Sequence, residues 1–313
     1  NCQVATTDYN VWVNIGTGLG HVAKPFGGLG GGTVSGYTSG GNNPTRVNTI
    51  DKFAFASNTT AADHGDISQA REGCDAGFSS ATQGFTAGGY NGAYVNTIDK
   101  FNLSSNVTGS DHGDLTGTRS STGGNSSSTH GYSSGGLNPT RFKNIDKFAF
   151  ASVAAASDHG DLSEIIYGLA GTNSNTDGYV SGGYNSSVFN YIQKFSFASA
   201  GNATDHGNLS VARSRASGTS SVTYGFTSGG YVYSNVIDKF NFGSSNNATS
   251  VGDLTVVREA GSGQSSTTYG FCAGGKSPTL IDTIDKFSFS TDSNSVDHGN
   301  LSTVRGELAG HQV

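Results

Sequence analysis

The stretch GFTSGGYVYSNVIDKFNF, residues 225–242, recurs in recognisable form six times along the 313-residue chain. The copies begin at Gly36, Gly84, Gly131, Gly178, Gly225 and Gly270, at spacings of 48, 47, 47, 47 and 45 residues. A period of roughly 20–50 residues is typical of repeat architectures, in which each unit buries its faces against its neighbours. The chain is therefore predicted to be one repeat domain that carries any function on its surface.

The composition favours an all-β fold. The chain has 48 Gly and 4 Pro, and 13% of its residues are charged, which is typical of short strands joined by tight turns. A net charge of −6 provides no basic surface, so we expect no nucleic-acid partner. No apolar run approaches the roughly 18 residues that a membrane span needs, so we expect no membrane insertion. Because the chain contains no Met, we expect it to belong to a longer or processed polypeptide.

Each copy reads as four strands. A small-residue strand ends in two glycines, as in GYTSGG at residues 36–41, and a variable loop leads to an aromatic strand such as IDKFAF at residues 50–55. A polar turn with the sequence DHGD is expected next, followed by a short strand that runs from a Leu or Ile to an Arg such as Arg71. A Gly, Ser and Ala-rich stretch, such as residues 216–223, suits a crowded innermost strand. Four strands in about 47 residues make one blade of a β-propeller.

We therefore predict a six-bladed β-propeller over residues 21–313, preceded by an N-terminal linker or attachment hairpin over residues 1–20. Two segments compete to close the ring. Residues 27–35 could supply the inner strand of the first blade, because Lys24 stands where later copies have Arg. The segment that follows Arg305 begins a seventh copy of the same strand, and the sequence leaves this choice open.

The order of residues in each copy resembles the kelch repeat. An Arg, a small-residue strand, an aromatic strand that ends in Gly-Gly, a variable loop and a strand with an aromatic near its end follow one another over about residues 24–305. The resemblance implies a kelch-like six-bladed β-propeller. Where kelch units place a Trp, this chain has the Leu of GDL, as at Leu115 and Leu254.

Charged residues recur at equivalent positions of the copies, so we interpret them as structural. The Asp and Gly of the DHGD turns are explained by side-chain to backbone hydrogen bonds and a positive φ. The Lys of each aromatic strand is expected to contact a neighbouring blade, because an unpaired buried charge is costly. These inter-blade lysines are Lys52, Lys100, Lys147, Lys194, Lys239 and Lys286. The repeated Arg, replaced by Ile166 in the third copy, is expected to pair with the Asp of GDL in an adjoining blade.

Neither catalytic residues nor a metal or cofactor site is predicted. No nucleophile motif stands apart from the repeats, and a glycosidase would need two carboxylates at roughly 5–10 Å in one pocket. Cys2, Cys74 and Cys272 are odd in number and fall at unrelated repeat positions, which predicts free buried thiols.

The loops that follow the double glycines vary most between copies and are expected to share one face of the propeller. Aromatic side chains among Asn and Ser are suited to stacking on sugars or to binding a protein. Packing of the same side chains along the blade rims is the alternative. The candidate binding residues are Arg46, Tyr90, Tyr94, Arg141, Phe142, Tyr184, Phe189, Tyr231, Tyr233 and Lys276.

The N-terminal stretch TTDYNVWVNIGTG, residues 6–18, resembles a hairpin found before the distal domain of bacteriophage tail fibres and other virion proteins. The repeats also look like kelch-like arrays of phages and marine bacteria. This resemblance implies a non-enzymatic, extracellular virion module that attaches to a host envelope protein or surface glycan. Other virion proteins and further copies of the chain would be its partners in the particle. Two alternatives remain: a tail, neck or capsid-decoration component that binds other virion proteins, and an adhesin of the bacterial cell surface.

Overall fold

A computed structural model describes residues 13–14, 19–20 and 34–313 of the chain. Over these residues the structure is all-β, and six antiparallel four-stranded sheets follow one another around a ring. The predicted six-bladed β-propeller is confirmed. No helix in the described part of the chain is long and apolar enough to cross a membrane.

Each blade has an inner, a second, a third and an outer strand, counted from the propeller axis. Blade 1 consists of Ala309–Gln312, Ser35–Ser39, Thr49–Ala54 and Ala62–Asp66, and blade 2 of Gly77–Ser79, Gln83–Ala87, Thr97–Asn102 and Ser110–Asp114. Blade 3 consists of Gly123–Ser126, His130–Ser134, Asn144–Ala149 and Ser157–Asp161, and blade 4 of Ala170–Asn173, Asp177–Ser181, Tyr191–Ser196 and Thr204–Asn208. Blade 5 consists of Ser217–Ser220, Tyr224–Ser228, Val236–Asn241 and Thr249–Asp253, and blade 6 of Ser262–Ser265, Tyr269–Ala273, Thr283–Ser288 and Val296–Asn300.

Short two-stranded ladders extend four of the loops between second and third strands. They pair Asn42–Asn43 with Thr45–Arg46, Leu137–Asn138 with Thr140–Arg141, Tyr184–Asn185 with Ser187–Val188, and Lys276–Ser277 with Thr279–Leu280. A further ladder outside the blades pairs Val13–Asn14 with Leu19–Gly20.

The C-terminal segment closes the ring. Ala309–Gln312 pairs antiparallel with Ser35–Ser39, so that blade 1 combines its inner strand from the end of the chain with three strands from its beginning. Of the two segments that the sequence offered for this position, residues 27–35 and the segment after Arg305, the C-terminal one forms the inner strand of blade 1.

A glycine occupies the first or second position of every inner strand and lets the six strands meet at the axis. A β-carbon added to Gly171 would lie 2.0 Å from the carbonyl oxygen of Gly124, and the same clash recurs around the ring at 2.0–2.9 Å. The six glycines are Gly77, Gly124, Gly171, Gly218, Gly263 and Gly310. Any side chain at these positions would push neighbouring blades apart.

Two residues further along, the inner strands are joined by a closed ring of hydrogen bonds. The backbone N–H of Ser126 donates to Oδ1 of Asn173 in the next blade at 3.0 Å, and the N–H of Asn173 donates to Oγ of Ser220 at 2.9 Å. The remaining links run through Ser265, Gln312 and Ser79 back to Ser126. Each blade therefore satisfies an edge N–H of its neighbour.

Aromatic rings fill the junctions between blades. Tyr132 of blade 3 lies 4.7 Å from Phe197 of blade 4, centroid to centroid, and donates its hydroxyl to the Phe197 carbonyl at 3.1 Å. The histidine of the outer strand spans the same junction, since His159 Nε2 donates to the Ser196 carbonyl at 2.7 Å and its ring packs on Tyr132. Four other junctions have an equivalent histidine: His64, His112, His206 and His298.

The sequence interpretation of the outer strand was wrong. The DHGD segment is the outer strand itself, and the segment between it and the repeated Arg has no regular strand. A bulge explains the difference. Gly160 has a φ of 142°, and its N–H donates to Oδ1 of Asp158 at 3.0 Å. The register of the ladder shifts between Ile145 and Asp146 opposite it.

The partner predicted for the repeated Arg was also wrong. It binds the Asp of IDKF, not the Asp of GDL, because the connection that carries it runs beneath the third strand of the blade that follows. Arg213 lies 2.6 Å from Asp238, and both side chains are completely buried. The equivalent pairs are Arg71–Asp99, Arg119–Asp146, Arg258–Asp285 and Arg305–Asp51, at 2.5–2.9 Å.

At the junction between blades 3 and 4 both members of this pair are replaced together. Ile166 stands in the Arg position and Gln193 in the Asp position, and both are buried. Gln193 Oε1 still accepts the backbone N–H of Ser163 at 2.7 Å, as Asp238 accepts that of Ser210 at 3.0 Å. The chain thus contains both a charged and a neutral version of one buried contact.

We call the six glycines at the axis, from Gly77 to Gly310, the glycine collar. Its contribution to stability can be tested by adding one methyl group. Gly171→Ala is expected to lower the free energy of unfolding by at least about 1–3 kcal/mol, because the clash is with backbone that cannot rotate away. Gly201→Ala is the matched control, since a β-carbon there meets nothing within 4 Å. Urea denaturation of both variants measures the difference, and equal stabilities would contradict the proposed role of the collar.

The buried pair can be tested by copying the natural replacement. Arg213→Ile should cost about 3–5 kcal/mol of stability, because it leaves the Asp238 carboxylate buried without its counter-charge. The double variant Arg213→Ile/Asp238→Gln should recover most of that loss, since it reproduces Ile166 and Gln193. Denaturant unfolding in a double-mutant cycle measures the coupling. Additive losses would show that the two positions are not coupled.

Candidate binding face

One end of the propeller carries both the variable loops and the connections between blades; we call it the loop face. In an antiparallel blade, the loop after the second strand and the connection after the outer strand emerge at the same end. Backbone bridges join them, as between Tyr167 and Tyr184 and between Glu259 and Lys276. The loops therefore rest on the connections, and both surround the axis.

The connections form a second closed ring at the axis on this face. Two residues after each repeated Arg position, the backbone adopts a left-handed conformation with φ between 53 and 67°. The six residues are Gly73, Ser121, Gly168, Arg215, Ala260 and Glu307. From Ser121 onward, the N–H of each donates to the carbonyl of the preceding one at 2.7–2.9 Å, and the N–H of Cys74, in place of that of Gly73, closes the ring on the Glu307 carbonyl at 3.3 Å. A left-handed conformation is costly for non-glycine residues, so this ring holds four of its members in a strained state.

Charged side chains lie on this ring and beside it at positions where the copies differ; we call Glu72, Asp75, Arg215, Glu259 and Glu307 the axial mouth. Asp75 occupies a residue inserted in the second copy, where the Arg is 17 residues before the double glycine and not 16. Arg215 Nη1 lies 3.4 Å from Glu307 Oε1, and Arg46 Nε lies 3.1 Å from Glu72 Oε1. Three carboxylates, those of Asp75, Glu259 and Glu307, thus act on one axial guanidinium, and Glu72 lies beside them in its pair with Arg46.

A narrow cavity continues inward from the axial mouth. Asp75 and Arg215 line it together with the glycine collar, and its volume is about 50 Å³. One water molecule needs roughly 10–15 Å³, so the cavity has room for a few waters. A larger ligand would have to bind at the mouth itself.

The pKa values of the axial mouth reflect burial first and the crowding of like charges second. The pKa of Asp75 is raised to about 7, mainly by burial and in addition by the charge of Glu307, while Arg215 and a hydrogen bond to Ser121 oppose the shift. Burial also raises the pKa of Glu307, with contributions from Glu72 and Glu259. Burial lowers the pKa of Arg215, but Glu307, Asp75 and Glu259 together raise it above its ordinary value.

Several predicted loop residues come together outside the axial mouth. The guanidinium of Arg46 lies 4.6 Å from the ring centroid of Tyr90, and Tyr90 packs on Tyr94 at 5.1 Å. Two junctions further around the ring, Arg141 lies 5.8 Å from Tyr167, which the sequence analysis did not select, and Tyr167 packs on Tyr184 at 5.5 Å. These two groups present cationic and aromatic surface side by side.

The other predicted loop residues divide between surface and interior. Tyr231 is 41% exposed, and Lys276 is exposed. Tyr233 is half-buried with a left-handed φ of 47°. Phe142 and Phe189 face inward: Phe142 packs at 5.4 Å from the buried Arg119 guanidinium, and Phe189 packs against the apolar junction of blades 3 and 4.

The lysines of the aromatic strands lie half-buried on the sides of the blades. Five have Nζ at 4.1–5.9 Å from the centroid of a tyrosine ring of their own blade: Lys52, Lys147, Lys194, Lys239 and Lys286. Lys100 lies opposite Phe85 in the ladder. Lys239 reaches Asp292 of the next blade at 2.9 Å, whereas Lys194 contacts Asp177 of its own blade. The fully buried charges at the junctions are those of Arg and Asp.

Within residues 34–313 no group of three or more His, Cys, Asp or Glu side chains has an arrangement that could hold a metal ion. Cys74 and Cys272 are buried free thiols, as predicted, and Cys2 lies outside the described residues. Burial raises the pKa of Cys74 to about 12. No protein-family model matches the chain, and no curated protein matches it.

The sequence analysis missed the axial mouth, although the signal was present. Residues at one repeat position lie on a circle around the axis, and close to the axis that circle is small. Positions one and two after the Arg read Glu-Gly, Ser-Ser, Tyr-Gly, Ser-Arg, Glu-Ala and Gly-Glu in the six copies. Because these two positions differ between copies and lie close to the axis, they indicate a place where unlike side chains meet.

The charge crowding predicts a pH-dependent stability. Folding raises the pKa of Asp75 from 3.8 to about 7, so the folded chain binds the extra proton between these values. The stabilisation from Asp75 is then present below about pH 4 and is lost as the pH rises through 7. Asp75→Asn should match the parent chain near pH 4 and exceed its stability at pH 8. Urea denaturation across this range would show parallel curves if Asp75 titrated normally.

Proposed function

We propose that the chain is a non-enzymatic binding module of a bacteriophage virion, which attaches through its loop face to a glycan of the host envelope. The observation that carries the binding function is that two sets of variable segments, the loops after the double glycines and the connections between blades, meet on one face of a repeated scaffold. Residues that recur in the copies are engaged in blade contacts: the Arg–Asp pairs, the histidines of the junctions and the glycines of the axis. The loops that follow the double glycines and the residues that follow the repeated Arg, both of which differ between the copies, lie on the loop face.

The chemistry of that face suits a carbohydrate. Sugars present apolar ring faces that stack on aromatic side chains and hydroxyl groups that bind charged and amide groups. Tyr90 and Tyr94 lie beside Arg46, and Tyr231 is exposed next to Val232, which is 65% exposed. Shallow contacts of this kind are weak singly, and display of several copies on a particle multiplies them.

The phage setting rests on the sequence resemblance of the N-terminal stretch and of the kelch-like repeats. An assembly role, in which the same face binds another virion protein, is the competing outcome. Electron microscopy of phage particles labelled with an antibody against the chain separates the two. Accessible label on the loop face supports attachment, whereas label that appears only after particle disruption overturns it.

Matched tyrosine pairs test whether the loop face binds the host. Tyr94→Ala/Tyr231→Ala removes one half-buried and one exposed tyrosine from the loop face, and Tyr224→Ala/Tyr269→Ala removes an equivalent pair from the opposite end. Burying one large side chain contributes roughly 1.5–3 kcal/mol, so the loop-face variant should bind at least about tenfold more weakly. Binding of the labelled chain to host cells and to their purified surface polysaccharide is the measurement. Equal binding by both variants would refute the assignment.

A further inference from the structure

The axial mouth contains a carboxylate that the protein leaves without a partner. Glu259 is 6% exposed, and its Oε2 has no hydrogen-bond donor among the described residues. Its charge acts on both Arg215 and Glu307, so the carboxylate lies close to them and belongs to the same cluster. An unpartnered buried acceptor costs free energy, and a bound donor would recover it.

The local charge balance indicates the sign of that donor. Arg215 is already engaged by Glu307, and Arg46 is engaged by Glu72, which leaves Asp75 and Glu259 without a cation in hydrogen-bond contact. Lys276 lies nearby but is exposed. A ligand that brings a positive charge would therefore relieve the repulsion between the carboxylates.

The geometry favours an organic cation over a metal ion. No set of three acidic, His or Cys side chains in the described residues converges as a metal requires. A protonated primary amine needs fewer acceptors, because its three N–H donors can point in different directions. The cavity below the mouth is too small for more than a few waters, so the rest of the ligand would extend outward over the loops.

We propose that the axial mouth binds a protonated primary amine, with the carboxylates of Asp75 and Glu259 as its acceptors. The inference deepens the proposed glycan-binding function: it assigns to the axis a free amino group, as carried by a non-acetylated amino sugar. The tyrosines around the axis, Tyr90 and Tyr167, would then contact the remainder of the saccharide. Loss of the amino charge by N-acetylation should abolish recognition at the mouth.

The test is calorimetric titration of the full chain with glucosamine at pH 7, where its amine is mostly protonated, with N-acetylglucosamine and CaCl2 as separate arms and Nα-acetyl-lysine amide as a non-sugar amine. Glucosamine should bind, and N-acetylglucosamine should bind at least about tenfold more weakly, since it loses charge-assisted hydrogen bonds. Equal affinity for the lysine derivative would show that the site recognises the amine alone. A lysine side chain of a partner protein would then be as suitable a ligand as an amino sugar. Binding of Ca²⁺ in place of the amine would overturn the proposal.

Variants locate the site. Glu259→Gln and Asp75→Asn should each weaken glucosamine binding about tenfold, whereas Asp282→Asn, on the loop face away from the axis, should leave it unchanged. Affinity for Nα-acetyl-lysine amide, whose amine stays protonated over this range, should fall between pH 8 and pH 6, because Asp75 gains a proton there. Glu72, Glu259, Glu307, Arg215, Lys276 and Ser121 are the polar groups that face Asp75 or its neighbours. A pH-independent affinity would contradict the assignment of Asp75.

The two proposals can fail separately. If host polysaccharide binds but glucosamine neither binds nor competes, the amine inference is wrong and the loop-face function stands. If glucosamine binds at the mouth but host cells do not bind the chain, the axial site stands and the attachment function is wrong. Circular dichroism of each variant confirms that it remains folded.

Discussion

The close approach of the six inner strands at the axis is the constraint on which the rest of the propeller depends. Neighbouring backbones meet so closely that a β-carbon at Gly171 or Gly218 would lie 2.0–2.1 Å from a carbonyl oxygen. Hydrogen bonds close a ring above and a ring below this collar, the first through the left-handed residues of the connections and the second through Ser, Asn and Gln side chains. Because both rings are complete, the position of each blade is set by its two neighbours.

Further from the axis, the junctions combine apolar packing with a buried polar contact. The contact present at all six junctions is the N–H of a Ser or Thr that donates to the side chain of the third strand. The guanidinium is present at five of them, and Ile166 with Gln193 replaces the pair at the sixth. A buried ion pair is expensive to desolvate, and its exchange for a neutral pair shows that its charge is not required for closure.

The same symmetry explains why unlike charges meet on the loop face. A ring of equivalent blades brings the same repeat position of every copy to one circle, so a change in single copies produces an asymmetric centre. Arg215, Glu259 and Glu307 come from three connections and meet because their positions lie close to the axis. The inserted Asp75 adds a fourth charge to this centre, so the axial mouth does not follow the symmetry of the blades.

Repeat period, strand content and blade number followed from the sequence, because a recurring pattern of glycine and aromatic residues reports the local geometry of each strand directly. The Phe of IDKF requires the glycine opposite it, as the 2.4 Å approach of a β-carbon at Gly178 to the Phe195 ring shows. The bulge of the DHGD strand was misread as a turn, since a glycine with positive φ occurs in both. Ring closure, the Arg–Asp pairing and the axial mouth depend on contacts between residues that are far apart in the chain. Two segments could compete for the inner position beside Ser35–Ser39, and several carboxylates could pair with each Arg, so local sequence could not choose among them. The choice follows from packing around the axis, where distances between blades select one partner for each group.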